Sequence, residues 1–179
     1  SRPHMPFKAV LMAILISPMI VPLIITAAGM FFFYSKIGLT HTYLGLILAH
    51  TALGTPFVVI TVTATLTGFD TNLIRASQSL GADTMRTFFK VIMPLILPGV
   101  ISGGLFAFIT SFDEVVIVMF IGSVEQITIP KQMWAGLRQE TSPVILCMAT
   151  CLVALSIALL TTVEMLRRRS ERLRGIKQR

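Results

Sequence analysis

Residues Arg75–Gly99 read RASQSLGADTMRTFFKVIMPLILPG, a polar, helix-breaking island set between long apolar runs. Before it, Ile37–Phe69 contains no Asp, Glu, Lys or Arg over 33 residues. From Val91 to Phe112 the chain is again free of them, over 22 residues. A bilayer core asks for about 20 apolar residues per crossing helix. Four segments meet that length: about Val10–Tyr34, Tyr43–Leu66, Leu95–Ile121 and Pro143–Leu166. In lipid every backbone N–H and C=O must pair within its own segment, so such runs are helices. The expected fold is therefore all-α, a polytopic transmembrane helical bundle with the island between its second and third spans.

Composition agrees. The chain is 54% hydrophobic and only 13% charged, where soluble domains carry about 25% charged residues. The formal charge of +7 does not point to nucleic acid. Seven of the fifteen Lys and Arg residues lie in the tail, at 167–169, 172, 174, 177 and 179, and no aromatic residue interleaves them. Three more, Arg75, Arg86 and Lys90, lie in the island, and Arg2 and Lys8 precede the first span. With four spans these twelve share one side, leaving Lys36, Lys131 and Arg138 on the other. The positive-inside bias then places both ends of the chain and the island in the cytoplasm. A basic tail over 167–179 suits a stop-transfer anchor touching anionic lipid.

The island itself carries helix start and stop signals. Asp70 or Thr71 can cap a short helix over Asn72–Leu80. Gly81 is a natural left-handed stop. Asp83 or Thr84 can cap a second short helix, Met85–Ile92, which Pro94 ends or bends. Two capped helices meeting at a glycine make a poor linker and a good docking surface. Elsewhere, Ser17-Pro18 and Pro22 in the first span, and Gly54-Thr55-Pro56 in the second, invite kinks or breaks. Gly99 and Gly103 form a small-xxx-small pair where helices can approach closely. The segment Ser123–Ser142 suits a short helix at the outer interface, with Pro130 at its start and Trp134, Lys131 and Arg138 as anchors.

No residue set supports catalysis. There is no GxxxxGK[ST] phosphate loop, no HExxH, and no motif neighbours for His4, His41 or His50. His50, inside an apolar span, reads as a satisfied hydrogen-bonding residue. Cys147 and Cys151 sit four apart on one helix face and read as packing; no CxxC or His/Cys cluster suggests a metal. No cleavable signal peptide is visible. Asp113 and Glu114, in FITSFDEVVIVMF, are the exception to the apolar rule. An acid inside a span costs about 2.5–3.5 kcal/mol, so it should face a water-filled path or a partner. Adjacent helical residues point about 100° apart, and Asp113 is the favoured path residue of the two.

The island resembles the EAA loop of ABC importer permeases, the membrane subunits of binding-protein-dependent uptake systems. That pattern runs Glu-Ala-Ala, three residues, Gly, nine residues, then Ile-x-Leu-Pro. Aligned on Gly81, it places Arg75-Ala76-Ser77 at the Glu-Ala-Ala positions and Val91-Ile92-Met93-Pro94 at its end, without gaps. The stretches SLGAD, RTFFKV, PLILPG, SFDEVV and TIPKQMW extend the resemblance over essentially the whole chain. Two departures stand out. Arg75 replaces the usual Glu and reverses its sign, and Ser77 replaces the second Ala.

The resemblance implies a type I permease of six spans, four of them visible, in one transmembrane domain over 1–179 with a missing pair ahead of Ser1. It implies a bacterial inner-membrane subunit without ATPase chemistry of its own and without a cofactor. Residues 70–94 would be its coupling loop, through Arg75, Ala76, Ser77, Gly81 and Pro94. The implied partners are an ABC ATPase subunit at that loop, a second permease subunit, an extracytoplasmic solute-binding protein and membrane lipid. Within the family, SFDEVV followed by a TIPKQMW-like segment is most similar to the second permease of spermidine/putrescine-type systems. Acids in a low-dielectric path attract cations, which suits a polyamine beside Asp113 and Glu114. The rival readings are a gradient-driven secondary transporter or channel, and a structural membrane scaffold.

Overall fold

The computed structural model describes residues 7–139 and 143–173. All regular structure among the described residues is helical. The elements are α1 (Lys8–Ile20), α2 (Leu23–Ile37), α3 (Tyr43–Thr67), α4 (Asn72–Ser79) and α5 (Thr84–Thr87). A π-helical turn over Phe88–Ile92 then leads into α6 (Met93–Phe112), α7 (Val116–Ile121), α8 (Ile129–Gln139) and α9 (Pro143–Leu173).

Among the described residues, three helical stretches are long and apolar enough to cross a membrane: Tyr43–Thr67, Thr84–Phe112 and Pro143–Thr162. A fourth is reached only if α1 and α2 count as one broken span, because they bend by 109°. The expected first span is thus not a single kinked helix. The break falls at Val21-Pro22, where Val21 turns extended and its N–H closes back on the Ser17 carbonyl. Pro22 cannot donate to the helix behind it. Pro18, four residues earlier, stays inside α1.

Other prolines behave differently from expectation. Pro56 lies buried inside an unbroken α3. Neighbouring helices and hydroxyls can cover the backbone that a proline disturbs. Here α6 packs along α3. Pro94 does not end the second island helix either. The chain runs helically from Thr84 to Phe112, and the π turn absorbs the proline. Met93 N–H reaches five residues back to the Phe88 carbonyl, so the ladder has already widened where the ring enters.

Packing centres on α3 and α6, which run antiparallel. Small residues make their seam. A Cβ built on Gly54 would meet Ala107 Cβ at 2.9 Å, and one on Gly103 would meet Val58 Cα at 2.7 Å. One on Gly99 would run into Thr65. The close approach expected at Gly99 and Gly103 is therefore present, and its partner is α3. At the end of the pair where α3 begins, α2 and α7 close a small core of Ala27, Tyr34, Ala49, Leu53, Ile117 and Ile121. His41 N–H donates to the Ile121 carbonyl at 2.8 Å and ties the α2–α3 turn to α7. By contrast, the apolar window of α9 buries none of its residues and touches only α6 and α8 closely. Lipid tails are as apolar as leucine, so such a face carries no penalty in a bilayer.

Candidate functional site

The α3–α6 pair carries a different structure at each end. At one end lies the island, folded as an elbow. Asp70 Oδ1 accepts from Asn72 N–H at 2.9 Å and starts α4, which stops at Ser79, one residue short of the expected end. Gly81 then adopts φ +82°. Asp83 turns the chain back into helix, its side chain accepting from Arg86 N–H at 2.7 Å. Left-handed backbone costs an L-residue about 1–2 kcal/mol, which glycine avoids. The two arms are bridged by Ser77 Oγ and Thr87 Oγ1, 3.0 Å apart, with Thr87 buried. The serine that departs from the Ala of the resembled pattern is thus the residue that links the two arms. Arg75, Ala76 and Arg86 are exposed, as are the apolar Leu73, Leu80, Met85 and Phe89. Phe88 and Phe89 meet edge to face, their ring centroids 5.1 Å apart.

At the other end a cavity of about 810 Å³ opens between α3, the last turns of α6 and the segment 125–128. His50, Thr51 and Thr55 line it from α3, and Ser111 from α6. His50 Nδ1 and Ser111 Oγ lie 2.9 Å apart, so the histidine is hydrogen-bonded across the seam, as the sequence reading expected. Tyr43 and Glu125, both exposed, also line the cavity.

The roof is a tightly built turn. Ser123 N–H donates to Gln126 Oε1 at 2.9 Å, and Gln126 N–H donates to Ser123 Oγ at 3.2 Å. Lys131 reaches back from α8, its Nζ donating to the Ser123 and Gln126 carbonyls at 2.9 and 3.1 Å. The expected short helix of this segment is α8, with Pro130 at its second position and Thr128 Oγ1 accepting from Lys131 N–H at 3.3 Å.

Asp113 and Glu114 do not lie inside a continuous helix. α6 ends at Phe112, Asp113 is its C-cap, and α7 begins at Val116. The expected single helix over Leu95–Ile121 is thus broken between the two. Glu114 sets the restart, because its Oε1 accepts from Ile117 N–H at 2.8 Å and places a carboxylate at the first turn of α7. Asp113 is exposed and Glu114 is 6% exposed. Neither is among the residues that line the cavity. Glu125, Thr51 and Thr55 do line it, and the sequence reading missed them. A signal existed for the roof, since Ser123-x-x-Gln126 is the spacing of a reciprocal cap. Of the basic tail, α9 extends to Leu173, and Arg174, Lys177 and Arg179 lie outside the described residues, as does Arg2.

Comparison with known proteins matches this architecture. A family described as "Binding-protein-dependent transport system inner membrane component" matches residues 1–172. The chain is 30% identical over 152 residues to the spermidine/putrescine transport system permease protein PotC of Haemophilus influenzae, covering 85% of this chain and 59% of that protein. It is 28% identical over 145 residues to the putrescine transport system permease protein PotI of Escherichia coli, covering 76% and 51%. The chain thus spans between half and three-fifths of the length of these relatives. Among solved structures, a chain of the MetNI methionine ABC transporter in inward-facing conformations superposes with a TM-score of 0.71. That match is 21% identical and covers 90% of this chain and 73% of that one, so it speaks for the fold. The chain belongs to the family of binding-protein-dependent transport system inner membrane components.

Proposed function

We propose that the chain is a permease subunit of an ATP-driven ABC importer and forms part of the path for a small solute of the polyamine class. One observation carries the proposal: the cavity and the elbow occupy opposite ends of one tightly seamed pair, α3 and α6. From His50 to the end of α3 is roughly 25 Å at about 1.5 Å per residue. A seam without slack passes displacement along that length, because packed interfaces resist continuous deformation. In this reading a partner ATPase grips residues 70–94, and the exposed Arg75, Ala76, Leu80 and Phe89 belong to the gripped surface. Gly81 and Ser77 fix the elbow angle so that the loop moves as a unit, and Pro94 with its π turn joins that unit to α6.

A second permease subunit completes the path, and a solute-binding protein delivers at the cavity end. Asp113, exposed in the break between α6 and α7, is the acid of the pair placed to meet a passing cation. Glu114 acts with it by shaping that break. The names of the relatives favour spermidine or putrescine as solute. The elbow and the basic tail face the cytoplasm, with the tail on anionic lipid, and the 123–128 turn faces outward.

The test has two arms. Right-side-out vesicles holding the full importer should take up radiolabelled putrescine when loaded with ATP, and keep doing so after ion gradients are collapsed. Uptake that follows the gradient and ignores ATP would establish the secondary-transporter reading instead. For orientation, Cys147 and Cys151 are first changed to serine. An impermeant maleimide should then label Val124→Cys, a position 89% exposed, from outside. It should reach Leu80→Cys, at 88% exposed, only after permeabilisation. The reverse pattern overturns the proposed orientation and the docking argument with it.

A further inference from the structure

The cavity has a hydrogen-bonding character that its residue names do not show. A threonine hydroxyl holds one proton and two lone pairs. In α3 the protons are already committed. Thr51 Oγ1 donates to the Ile47 carbonyl at 2.7 Å, and Thr55 Oγ1 donates to the Thr51 carbonyl at 2.7 Å. What these two side chains offer a ligand is therefore lone pairs alone. Their neighbours His50 and Ser111 satisfy each other, and either imidazole tautomer leaves that pair a single remaining N–H or O–H. Gln126 spends its Oε1 on Ser123 N–H and stays buried in its turn, keeping its two amide N–H donors, and the Tyr43 and Thr128 hydroxyls add one proton each to the lining. Glu125, on the same turn, is an exposed carboxylate with several acceptor positions. No Lys or Arg stands among the described lining residues. Lys131, the nearest cation in sequence, has its head fixed on two roof carbonyls.

A wall that pairs a carboxylate with two threonine oxygens whose protons are spent, and holds no Lys or Arg among its described residues, favours a ligand that is positively charged and rich in donors. An alkylammonium is such a group: three N–H donors, no acceptor, one charge. The aromatic Tyr43 lines the same cavity, and ring faces attract ammonium groups. We infer that Glu125, with the Thr51 and Thr55 oxygens, forms an ammonium-binding subsite that selects protonated amines on entry. This deepens the importer reading and rests on it for the direction of travel. It adds a residue, Glu125, to the acids Asp113 and Glu114 that the apolar pattern singles out.

The alternative is that Glu125 is an ordinary solvated loop residue. The two differ in an experiment on the purified importer complex without its binding protein, titrated with radiolabelled putrescine and spermidine by equilibrium dialysis. A charge-assisted hydrogen bond is about twice as strong as a neutral one. Glu125→Gln should therefore weaken binding by about tenfold or more. Glu125→Asp keeps the charge and should stay within about threefold of the parent. Thr51→Val with Thr55→Val should weaken binding by about tenfold while the roof turn and Glu125 stay in place. A neutral diol of putrescine's length should fail to compete.

Unchanged affinity in Glu125→Gln, competition by the diol, or the absence of saturable binding to the parent complex would each overturn the inference. Uptake by the same complex with ATP and binding protein restored separates the two levels. ATP-driven uptake alongside an indifferent Glu125 sinks the subsite and leaves the importer. Glu125-dependent binding with uptake that follows an ion gradient sinks the importer and leaves the subsite.

Discussion

The elbow and the cavity sit at two ends of the same helix pair, yet they are stabilised in opposite ways. The elbow is held from within, by Gly81, the Asp83 cap and the Ser77–Thr87 bridge, and it turns its apolar and basic side chains outward. The cavity end is held from outside, by a roof turn that Lys131 pins from α8, and it turns its acceptors inward. The first arrangement suits a surface to be gripped and the second a space to be filled. Between them the α3–α6 seam closes where small residues meet, Gly99 against Thr65, Gly103 against Val58 and Thr61, and Gly54 against Ala107, with Phe57 stacked on Phe106 beside them. Rigid body and functional ends are thus built from different residue classes. A substitution should therefore fail in a way that depends on which class it enters.

The largest effect is expected where both ends lose their connection. Gly103→Leu would press four carbons into Val58 and Thr61 of α3. Overpacking of this kind costs about 3 kcal/mol or more when backbone stands in the way. The variant should be nearly absent from the membrane by immunoblot. Gly104→Leu, one residue on, has no atom within 4 Å of its Cβ and should accumulate normally. Equal levels for the two would dissolve the distinction between seam and ends.

Next in size is Gly81→Val. The site is open, so the penalty is conformational, about 1–2 kcal/mol at the elbow. Membrane level should hold while ATP-driven uptake falls about tenfold, since an angle error at the elbow misplaces the docking surface. Normal uptake would remove the elbow from the coupling mechanism.

The smallest effects should separate the ends from each other. Ser77→Ala removes one bridge and leaves the Thr87 hydroxyl buried. Lys131→Met removes two hydrogen bonds from the roof. Each loss is worth about 1 kcal/mol per bond. Ser77→Ala should lower uptake per ATP hydrolysed without changing putrescine affinity, whereas Lys131→Met should weaken putrescine binding a few-fold without changing the ATPase rate. If both variants change the same quantity, the two ends are not independent.

What the sequence disclosed follows the range of the forces involved. Asp70, Gly81 and Asp83 act over two or three residues, so the elbow could be read locally, and the end of α4 and the start of the second arm lie within a residue of expectation. Gly99 and Gly103 announce a close approach by their spacing, although not that Thr61 and Thr65 lie opposite. The break after Phe112 was hidden because no proline or glycine marks it. Asp113 and Glu114 do interrupt the apolar pattern there, but the run VVIVMFI resumes it at once, so they read as acids within one helix. The break rests instead on the Glu114 cap and on Ile117 and Ile121 packing against α2 and α3, which are tertiary facts. Pro94 allowed either an end or a bend, and the helix does not end there, since a π turn can absorb a proline that an α-helix would not. The cavity was invisible because its acceptors, Thr51 and Thr55, look like ordinary threonines until their protons are assigned.

The empty space around Gly81 has one more consequence. Glycine is often kept because nothing larger fits, but here a Cβ would meet nothing within 4 Å. The requirement is chirality, not bulk: the backbone at φ +82° is the mirror-image side of conformational space for an L-amino acid. Residues should therefore rank at this position by their tolerance of that side rather than by volume. Asparagine, larger than alanine, should serve better than alanine because its amide lets it visit the left-handed region.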